Sequence, residues 1–207
     1  MAEFDLQQLG PQEAYHLVTR IVAPRPIALV SSLDPAGHGN LAPFSYFTMG
    51  GSNPPSCIFC PVNTRDGKHK DTLRNVEQTG EYVINVCTRD IAQQMNQCSF
   101  PYPPGEDEFD RSGLTRAPSR LVRAPGVAQS PIRLECRLHQ ILRHGEGPLS
   151  SNYVVGQILL VHVQDGLLGP DGRPDDERIG FIGRLGDEFY TEVSPDSLFR
   201  MARPDRG

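Results

Sequence analysis

The alternation of apolar and polar residues along the chain predicts a protein built mainly of β-strands. Apolar or alternating runs, separated by residues that favour turns, indicate about six or seven strands. They lie at residues 27–33, 40–48, 56–61, 82–87, 132–142, 153–163 and 188–191. Helical patterns are confined to short segments at 11–19, 71–79 and 90–97. Many closely spaced strands with few helices are typical of an antiparallel barrel and not of alternating strands and helices.

Turn residues between these runs set the expected connections. The segment 34–39 favours a turn, so the first two strands are predicted to form a hairpin. The return strand carries Ser45, Tyr46, Phe47 and Thr48. Residues 50–55 are predicted to form a tight loop. Gly80 is expected to end the helix at 71–79, and Gly156 is expected to mark a β-bulge.

The length of 207 residues fits one domain, 1–207, with a long excursion at 99–130. This excursion is rich in proline and contains the acidic run Glu106–Glu108. A loop of this length in a compact domain is usually a lid, a binding surface or an oligomer arm. A flexible insertion is the alternative.

The net charge of −5 and the isoelectric point of about 5.7 argue against a nucleic-acid-binding surface. No run reaches the roughly 18 apolar residues that a membrane helix needs. The acidic start of the sequence lacks an apolar signal core, which predicts a cytoplasmic location.

The chain has five cysteines, an odd number that predicts free thiols in a reducing compartment. Cys57 and Cys60 have the C-x-x-C spacing, but they lie in an apolar, strand-like run with no second pair to complete a zinc site. We therefore expect buried structural thiols and no metal. The six histidines are scattered without ligand spacing.

Common cofactor and hydrolase motifs are missing from the sequence. There is no G-x-G-x-x-G after a strand, no G-x-x-x-x-G-K-[ST] and no G-x-S-x-G. These absences argue against a Rossmann site, a P-loop and an α/β-hydrolase.

One segment is strongly basic. Between Asn63 and Asn75 it carries Arg65, Lys68, His69, Lys70 and Arg74, against only Asp66 and Asp71. The segment runs from a strand into the helix at 71–79, with Lys70 or Asp71 expected at the cap and Thr72 in the first turn. Helix starts present free N–H groups and a positive dipole end, which favour anions. The segment is therefore either a phosphate site or an ordinary solvated loop.

Two further features suit a flat aromatic cofactor with a phosphate tail. The hydroxyl and aromatic side chains at 45–48 can contact a ring, and Arg184, in a glycine-rich strand end, can place positive charge near a ring that becomes anionic on reduction. Because such a cofactor performs the chemistry, no catalytic residue of the chain itself is predicted.

Five motifs in this order resemble the flavin-reductase-like family of FMN-binding split barrels, most closely its flavoredoxin-type branch. They are Pro24-Arg-Pro-Ile-Ala-Leu-Val-Ser-Ser, Asn40-Leu-Ala-Pro-Phe-Ser-Tyr-Phe, Asn53-Pro-Pro, Lys70-Asp-Thr-Leu-Arg-Asn75, and Phe181-Ile-Gly-Arg-Leu-Gly186 followed by Tyr190. In addition, Glu106 to Thr115 resembles a loop beside the flavin in that family. The resemblance runs from about Tyr15 to Tyr190.

The resemblance implies a mainly β fold with short helices, an antiparallel Greek-key split β-barrel that forms a homodimer with FMN near the interface. The ring and ribityl chain would contact Ser45, Tyr46, Phe47 and Thr48. The phosphate end would be held by Asn63, Lys70, Asp71 and Thr72, and Arg65 and Arg184 complete the predicted cofactor-binding set. The variable segment 99–130 leaves access of substrate to the site open.

Three functions fit this interpretation. The preferred one is a flavin reductase that passes hydride from NADH or NADPH to FMN. The second is an electron-transfer flavoprotein that holds FMN tightly and acts with a redox partner protein. The third is a flavin-binding protein without turnover. The sequence does not choose between NADH and NADPH.

Overall fold

The computed structural model describes residues 1–103 and 105–204, in which β-strands dominate. The strands are β1 Arg25–Pro26, β2 Ala28–Leu33, β3 Gly39–Phe44, β4 Phe47–Ser52, β5 Pro55–Phe59, β6 Glu81–Val86, β7 Arg116–Ala117, β8 Gly126–Val127, β9 Ile132–His144, β10 Ser151–Val163, β11 Ile182–Arg184 and β12 Tyr190–Glu192. The helices are α1 Pro11–Ile21, α2 Asp71–Thr79, α3 Ala92–Gln97, α4 Glu108–Ser112 and α5 Asp176–Ile179, with 3₁₀ turns at Arg89–Ile91, Asp165–Leu167 and Pro195–Ser197. Among the residues so described, no helix is both long and apolar enough to cross a membrane.

Seven strands form one antiparallel sheet in the order β3-β2-β6-β9-β10-β5-β4. Strands β3 and β4 occupy opposite edges of this sheet, yet only Ser45 and Tyr46 separate them in the chain. The three Cα–Cα steps from Phe44 to Phe47 span at most about 11 Å, so the sheet must curl until its two edges meet. The predicted antiparallel barrel is confirmed, and it is split where β3 and β4 approach without pairing.

A small second sheet, β1-β11-β12, brings the C-terminal part of the chain to the start of the barrel. In its register Arg25 is opposite Arg184, and Pro26 is opposite Gly183. The glycine is required there, because a Cβ at Gly183 would lie 2.9 Å from the side chain of Pro24. This sheet therefore places Arg184 beside Arg25, which follows the end of α1 in the chain.

The barrel interior is closed by α2. Leu73 and Val76 of this helix are fully buried against the cluster that contains Phe59, Tyr82 and Val154. The helix ends as predicted, since Gly80 adopts a left-handed conformation with φ of 72°. The packing of its apolar face fixes the start of α2 at one end of the barrel.

The predicted single strand at 40–48 is wrong. It is two strands, β3 and β4, separated by a bend at Ser45 and Tyr46, because the chain passes there from one sheet edge to the other. The predicted loop at 50–55 is also wrong in its first half. Strand β4 continues to Ser52, and the absence of a Cβ at Gly50 lets its backbone approach Ser56 of β5.

The excursion at 99–130 is a folded part of the domain, and the alternative of a flexible insertion is wrong. It contains α4 and the β7–β8 pair. Phe109, Leu114 and Val127 from it are buried with Leu29 and Leu41 of the barrel. The fully buried carboxylate of Glu135 also accepts hydrogen bonds from the amides of Arg120 and Leu121, at 2.8 and 2.6 Å.

The expected structural thiols are confirmed, since all five cysteines are free and buried. Two of them, Cys57 and Cys136, lie with their sulfur atoms 3.9 Å apart in the barrel core. The predicted bulge at Gly156 is confirmed by a shift in the pairing of β10 with β9 between Val155 and Gly156.

Candidate functional site

The start of α2 presents free hydrogen-bond donors. Lys70 is the N-cap residue, which agrees with the prediction of Lys70 or Asp71 at this position. Its side chain makes no capping hydrogen bond. The first intrahelical bond is donated by the amide of Arg74 to the carbonyl of Lys70. The amides of residues 71–73 therefore have no partner within the helix and point out of its N-terminal end. Together with the positive end of the helix dipole, they form an environment that favours an anion.

The charges of the basic loop, residues 63–70, are unequally neutralised. Lys68 pairs with Asp66 at 2.7 Å, whereas Arg65 and Lys70 have no carboxylate partner within the described part of the chain. Lys70 is solvent-accessible as a residue, but its ammonium lies 5.6 Å from the centre of the Phe44 ring. Burial of this group lowers the pKa of Lys70. An incoming anion would supply the charge partner that the ammonium lacks.

The basic loop is held by the hairpin tip, residues 145–150, which joins β9 to β10. The side-chain amide of Asn63 donates to the carbonyl of Gly147 at 2.9 Å, and its oxygen accepts from Asn152 at 2.9 Å. The amide nitrogen of Asn63 donates to the carbonyl of Ser150. Asn63 is thus engaged in fixing the loop, which leaves one side-chain N–H of this predicted phosphate contact uncommitted.

The first turn of α2 is ordered by two side chains. Asp71 is exposed and forms an ion pair with Arg74, which also donates to the carbonyl of His69 at 2.6 Å. Thr72 is buried, and its hydroxyl accepts a hydrogen bond of 2.7 Å from the side-chain amide of Asn40 in β3. The basic loop, α2 and β3 therefore meet at this helix start.

The bend between β3 and β4 continues directly from this point. Phe44, beneath Lys70, is followed by Ser45 and Tyr46 in the bend and by Phe47 and Thr48 in β4. Thr48 and Tyr46 are exposed, whereas Ser45 and Phe47 are half-buried. Hydroxyl groups and aromatic rings are thus available beside the anion-favouring helix start.

Arg184 lies further away from the helix start. Its guanidinium stacks on Tyr190, 4.6 Å from the ring centre, and donates to the Tyr190 hydroxyl and to the carbonyl of Asp187. Its link to the bend runs through Arg25, the residue opposite Arg184, whose Nε donates to the Ser45 hydroxyl at 3.5 Å. The structure therefore brings Phe44 against Lys70, with residues 45–48 continuing from Phe44 along the chain, and it connects Arg184 to the bend through Arg25.

A cavity of about 600 Å³ lies apart from the helix start. It lies between α3 and β11–β12, with Met95, Ile182, Arg184 and Tyr190 in its wall, and none of its lining residues belongs to 45–48 or 63–72. The volume of this cavity therefore favours a site beside Arg184, away from the start of α2. The donors and unpaired charge favour the start of α2 for an anion.

Two contributors to the site had no assigned role in the sequence interpretation. Asn40 was visible only as part of a motif. Arg25 is buried and donates to the carbonyls of Thr19, Val22 and Leu185 at 2.5–2.8 Å. Its guanidinium therefore has a structural role, because these hydrogen bonds connect the end of α1 to the bend. The pattern Pro24-Arg-Pro was the available signal, since an arginine between two prolines is fixed in an extended backbone.

Helix α4 of the excursion contacts β3 beside the site. The carboxylate of Glu108 accepts from the amide of Leu41 at 2.9 Å, next to Asn40. Burial raises the pKa of Glu108, and the negative charges of Asp107 and Asp71 act in the same direction. This carboxylate therefore carries an electrostatic cost when it is ionised.

The Glu108→Gln variant is expected to lose less stability than the parent protein as the pH rises from about 5 to about 8. A carboxyl with a raised pKa binds its proton more tightly in the folded state, so its favourable contribution is present at low pH and is lost above the folded pKa. Glutamine still accepts from Leu41 and does not ionise. Urea unfolding at both pH values measures the difference. Glu146→Gln, at an exposed carboxylate of the hairpin tip, is the control, and equal pH dependence in all three proteins would contradict the prediction.

Comparison with solved structures supports the fold. Nitrilotriacetate monooxygenase component B from Bacillus cereus is 29% identical, with a TM-score of 0.90 over 97% of this chain and 98% of that chain. The 2-nitrobenzoate 2-nitroreductase NbaA of Pseudomonas fluorescens is 28% identical, with a TM-score of 0.87 over the whole of both chains. A protein with a split barrel domain from Shewanella frigidimarina NCIMB 400 is 26% identical, with a TM-score of 0.84 over 99% and 100%. The expected split barrel is thus confirmed.

The family comparison agrees with the motifs. The model of the flavin reductase like domain matches residues 20–174, more than half of the 207-residue chain. This range includes β2, the bend at Ser45 and Tyr46, the basic loop and α2. The chain therefore belongs to the flavin reductase like domain family.

Proposed function

We propose that this protein is a flavin reductase that binds FMN with its phosphate at the start of α2 and reduces it with NADH or NADPH. The observation that carries the proposal is the arrangement at Lys70. An ammonium that has no carboxylate partner among the described residues stands beside the free amides of a helix start, an arrangement that favours a phosphate monoester. Family membership supports the flavin, and this arrangement supports the position proposed for its phosphate.

The residues present fit FMN. Its phosphate would take the amides of residues 71–73, the ammonium of Lys70 and the hydroxyl of Thr72. Arg65, exposed on the basic loop and without a carboxylate partner in the described residues, would add long-range attraction for the dianion. The ring would lie along the bend and β4, where Ser45 and Thr48 offer hydroxyls and Tyr46 and Phe47 offer aromatic surface.

FMN supplies the redox chemistry when bound, because its ring system accepts hydride. The chain's own contribution is to bind and orient. The helix start fixes the phosphate end, and the bend limits the position of the ring. Arg184, at the periphery, would contribute positive charge. The relatives bear on the fate of the electrons: one is named a component of a monooxygenase and another a nitroreductase, so an acceptor beyond the flavin is included in the proposal.

We also propose that the second copy in a homodimer covers the exposed apolar side chains of α1. Tyr15 and Val18 are spaced to lie on one side of this helix and are exposed, and the exposed Val22 follows at its C-cap. Tyr46 of the bend is a further exposed aromatic side chain, and Arg25 joins the bend to α1 through hydrogen bonds to the Ser45 hydroxyl and the Thr19 carbonyl. A partner over this surface would place the flavin close to the interface. Sedimentation equilibrium of the purified protein should give twice the mass of the 22.9 kDa chain, and a monomer at all concentrations would contradict the dimer.

The proposed activity is tested by oxidation of NADH and NADPH in the presence of FMN, FAD or riboflavin. We expect oxidation that saturates with FMN, together with a flavin absorbance spectrum when the purified protein is loaded with FMN. Protein that holds FMN tightly but oxidises both nucleotides slowly would instead indicate an electron-transfer flavoprotein that needs a redox partner protein. Bound FMN with no oxidation would indicate a non-catalytic flavin-binding protein, and no FMN binding would overturn the proposal.

A further inference from the structure

We propose that Asn40 is a positioning residue, which orients the hydroxyl of Thr72 so that its hydrogen is directed to the phosphate of the flavin. This inference rests on the proposed function and assigns a role to a residue that need not touch the ligand. Asn40 lies in β3 and Thr72 in the first turn of α2, so the pair joins the barrel wall to the helix start.

The hydrogen bond between the two side chains has a direction. The side-chain amide nitrogen of Asn40 donates to Oγ1 of Thr72 at 2.7 Å, and the two residues are only 7% and 2% exposed. An amide N–H can only donate, so the threonine oxygen acts as acceptor in this contact. The single hydroxyl hydrogen of Thr72 is therefore not used on Asn40.

The nearby backbone carbonyls that could accept that hydrogen already accept other hydrogen bonds. A threonine inside a helix commonly donates to the carbonyl four residues earlier, which is that of Lys68. That carbonyl already accepts from the amide of Thr64 at 2.9 Å and from the Thr64 hydroxyl at 3.0 Å, which fills its two lone pairs. The carbonyl three residues earlier, that of His69, accepts from Arg74 at 2.6 Å.

The consequence is a pre-oriented donor. Asn40 holds the acceptor side of Oγ1, the Lys68 carbonyl is filled and the His69 carbonyl already accepts Arg74. The hydroxyl hydrogen of Thr72, which donates to no group in the described residues, therefore remains available to an anion at the start of α2. A donor fixed before binding costs less entropy when the anion arrives than one that must be ordered by it. Without Asn40 the same hydroxyl could rotate, and part of its contribution to phosphate binding would be lost.

The chain offers a matched control one turn along the same helix. The side-chain amide of Asn75 donates to the hydroxyl of Ser32 in β2 at 3.2 Å, and Asn75 is 8% exposed. This contact is also a buried bond from asparagine to a hydroxyl between α2 and the barrel, but it lies away from the helix start. Loss of either asparagine should destabilise the fold comparably, whereas only Asn40 should affect phosphate binding.

The test compares the dissociation constants of FMN and riboflavin, which differ by the phosphate. Thr72→Val is expected to weaken FMN about tenfold and to leave riboflavin unchanged, as for the loss of a hydrogen bond to a charged group. Asn40→Ala is expected to weaken FMN about threefold to tenfold, again without an effect on riboflavin. In the double variant, Asn40→Ala should add nothing to Thr72→Val, because the hydroxyl that it orients is gone. Asn75→Ala should leave the FMN to riboflavin ratio unchanged.

The outcomes separate this inference from the proposed function. If the parent protein binds no FMN, the proposed function fails and the role of Asn40 fails with it. If FMN binds but Asn40→Ala leaves the ratio unchanged, or weakens riboflavin equally, only the role of Asn40 is overturned. Additive effects of Asn40→Ala and Thr72→Val on the ratio would overturn it as well. Melting temperatures of the four variants identify any that has lost its fold. If Asn40→Ala is one of them, Asn40→Leu, which keeps most of the side-chain volume but has no N–H donor, replaces it with the same expected results.

Discussion

Replacing Gly156 by alanine is expected to lower the free energy of unfolding by about 3 kcal/mol, at the upper end of ordinary overpacking costs. A Cβ built at Gly156 would lie 1.8 Å from the hydroxyl oxygen of Tyr82 and 3.2 Å from the carbonyl of Arg137. Tyr82 is fully buried against Phe59 in the barrel interior and cannot move aside into solvent. The glycine thus provides the space that the tyrosine fills, at the bulge that β10 forms against β9.

Thermal unfolding measures this effect, with a decrease in melting temperature of ~6–12 °C expected for a domain of this size. Adding Tyr82→Phe to Gly156→Ala removes the atom that makes the closest contact, so the double variant should be more stable than Gly156→Ala alone. Gly166→Ala is the control, because a Cβ at that position would have no atom within 4 Å in the part of the chain that the structure describes, apart from its two neighbours in sequence. Equal melting temperatures of the Gly156→Ala and Gly166→Ala variants would contradict this explanation by packing.

Local patterns predicted the elements whose boundaries are set by local chemistry. Helix α2 runs from Asp71 to Thr79 and ends at Gly80, within the predicted limits. It could be predicted because the spacing of its apolar residues and the glycine that ends it can both be read from one short stretch of sequence. The long strands β9 and β10 were likewise visible from alternation. The bulge at Gly156 could be placed because a glycine within a strand pattern has few other uses.

The bend at Ser45 and Tyr46 could not be predicted in this way. Residues 40–48 continue a strand pattern, and nothing local shows that the first part pairs with β2 and the second with β5. That division depends on which sheet edges meet when the barrel closes, which is a property of the whole sheet. The packing of the excursion against the barrel could not be predicted for a similar reason. Its buried side chains, such as Phe109 and Val127, occur at irregular intervals and show neither a helix nor a strand period.

The residues of the candidate site show the same difference between local signals and tertiary contacts. Lys70 and Thr72 could be identified because a helix start and its charges lie within a few residues of one another. Asn40 contributes from a strand 32 residues away in sequence, and the hairpin tip that holds Asn63 comes from Gly147. Contacts of this kind follow from tertiary packing. They are the part of the site that the sequence did not reveal.

The second large effect is expected at the phosphate. Lys70→Ala should weaken FMN by about 1.5–3 kcal/mol, or about 10-fold to 150-fold, because it removes a charge-assisted contact to a dianion. The ammonium of Lys70 has no carboxylate partner in the described residues and lies over Phe44, so no existing ion pair has to be broken when phosphate binds. The stability of the protein without flavin should change little, since this side chain makes no hydrogen bond as the helix cap.

Lys68→Ala provides the matched control for this change. Lys68 is a lysine of the same basic loop, two residues earlier, but it is exposed and already paired with Asp66. Fluorescence titration with FMN and with riboflavin should show a loss for Lys70→Ala with FMN only, and little change for Lys68→Ala with either flavin. Equal losses in both variants would mean that the loop acts only through its net charge. An unchanged FMN affinity in Lys70→Ala would reject the phosphate position, because the ammonium that defines the start of α2 as an anion site would then take no part in holding the cofactor.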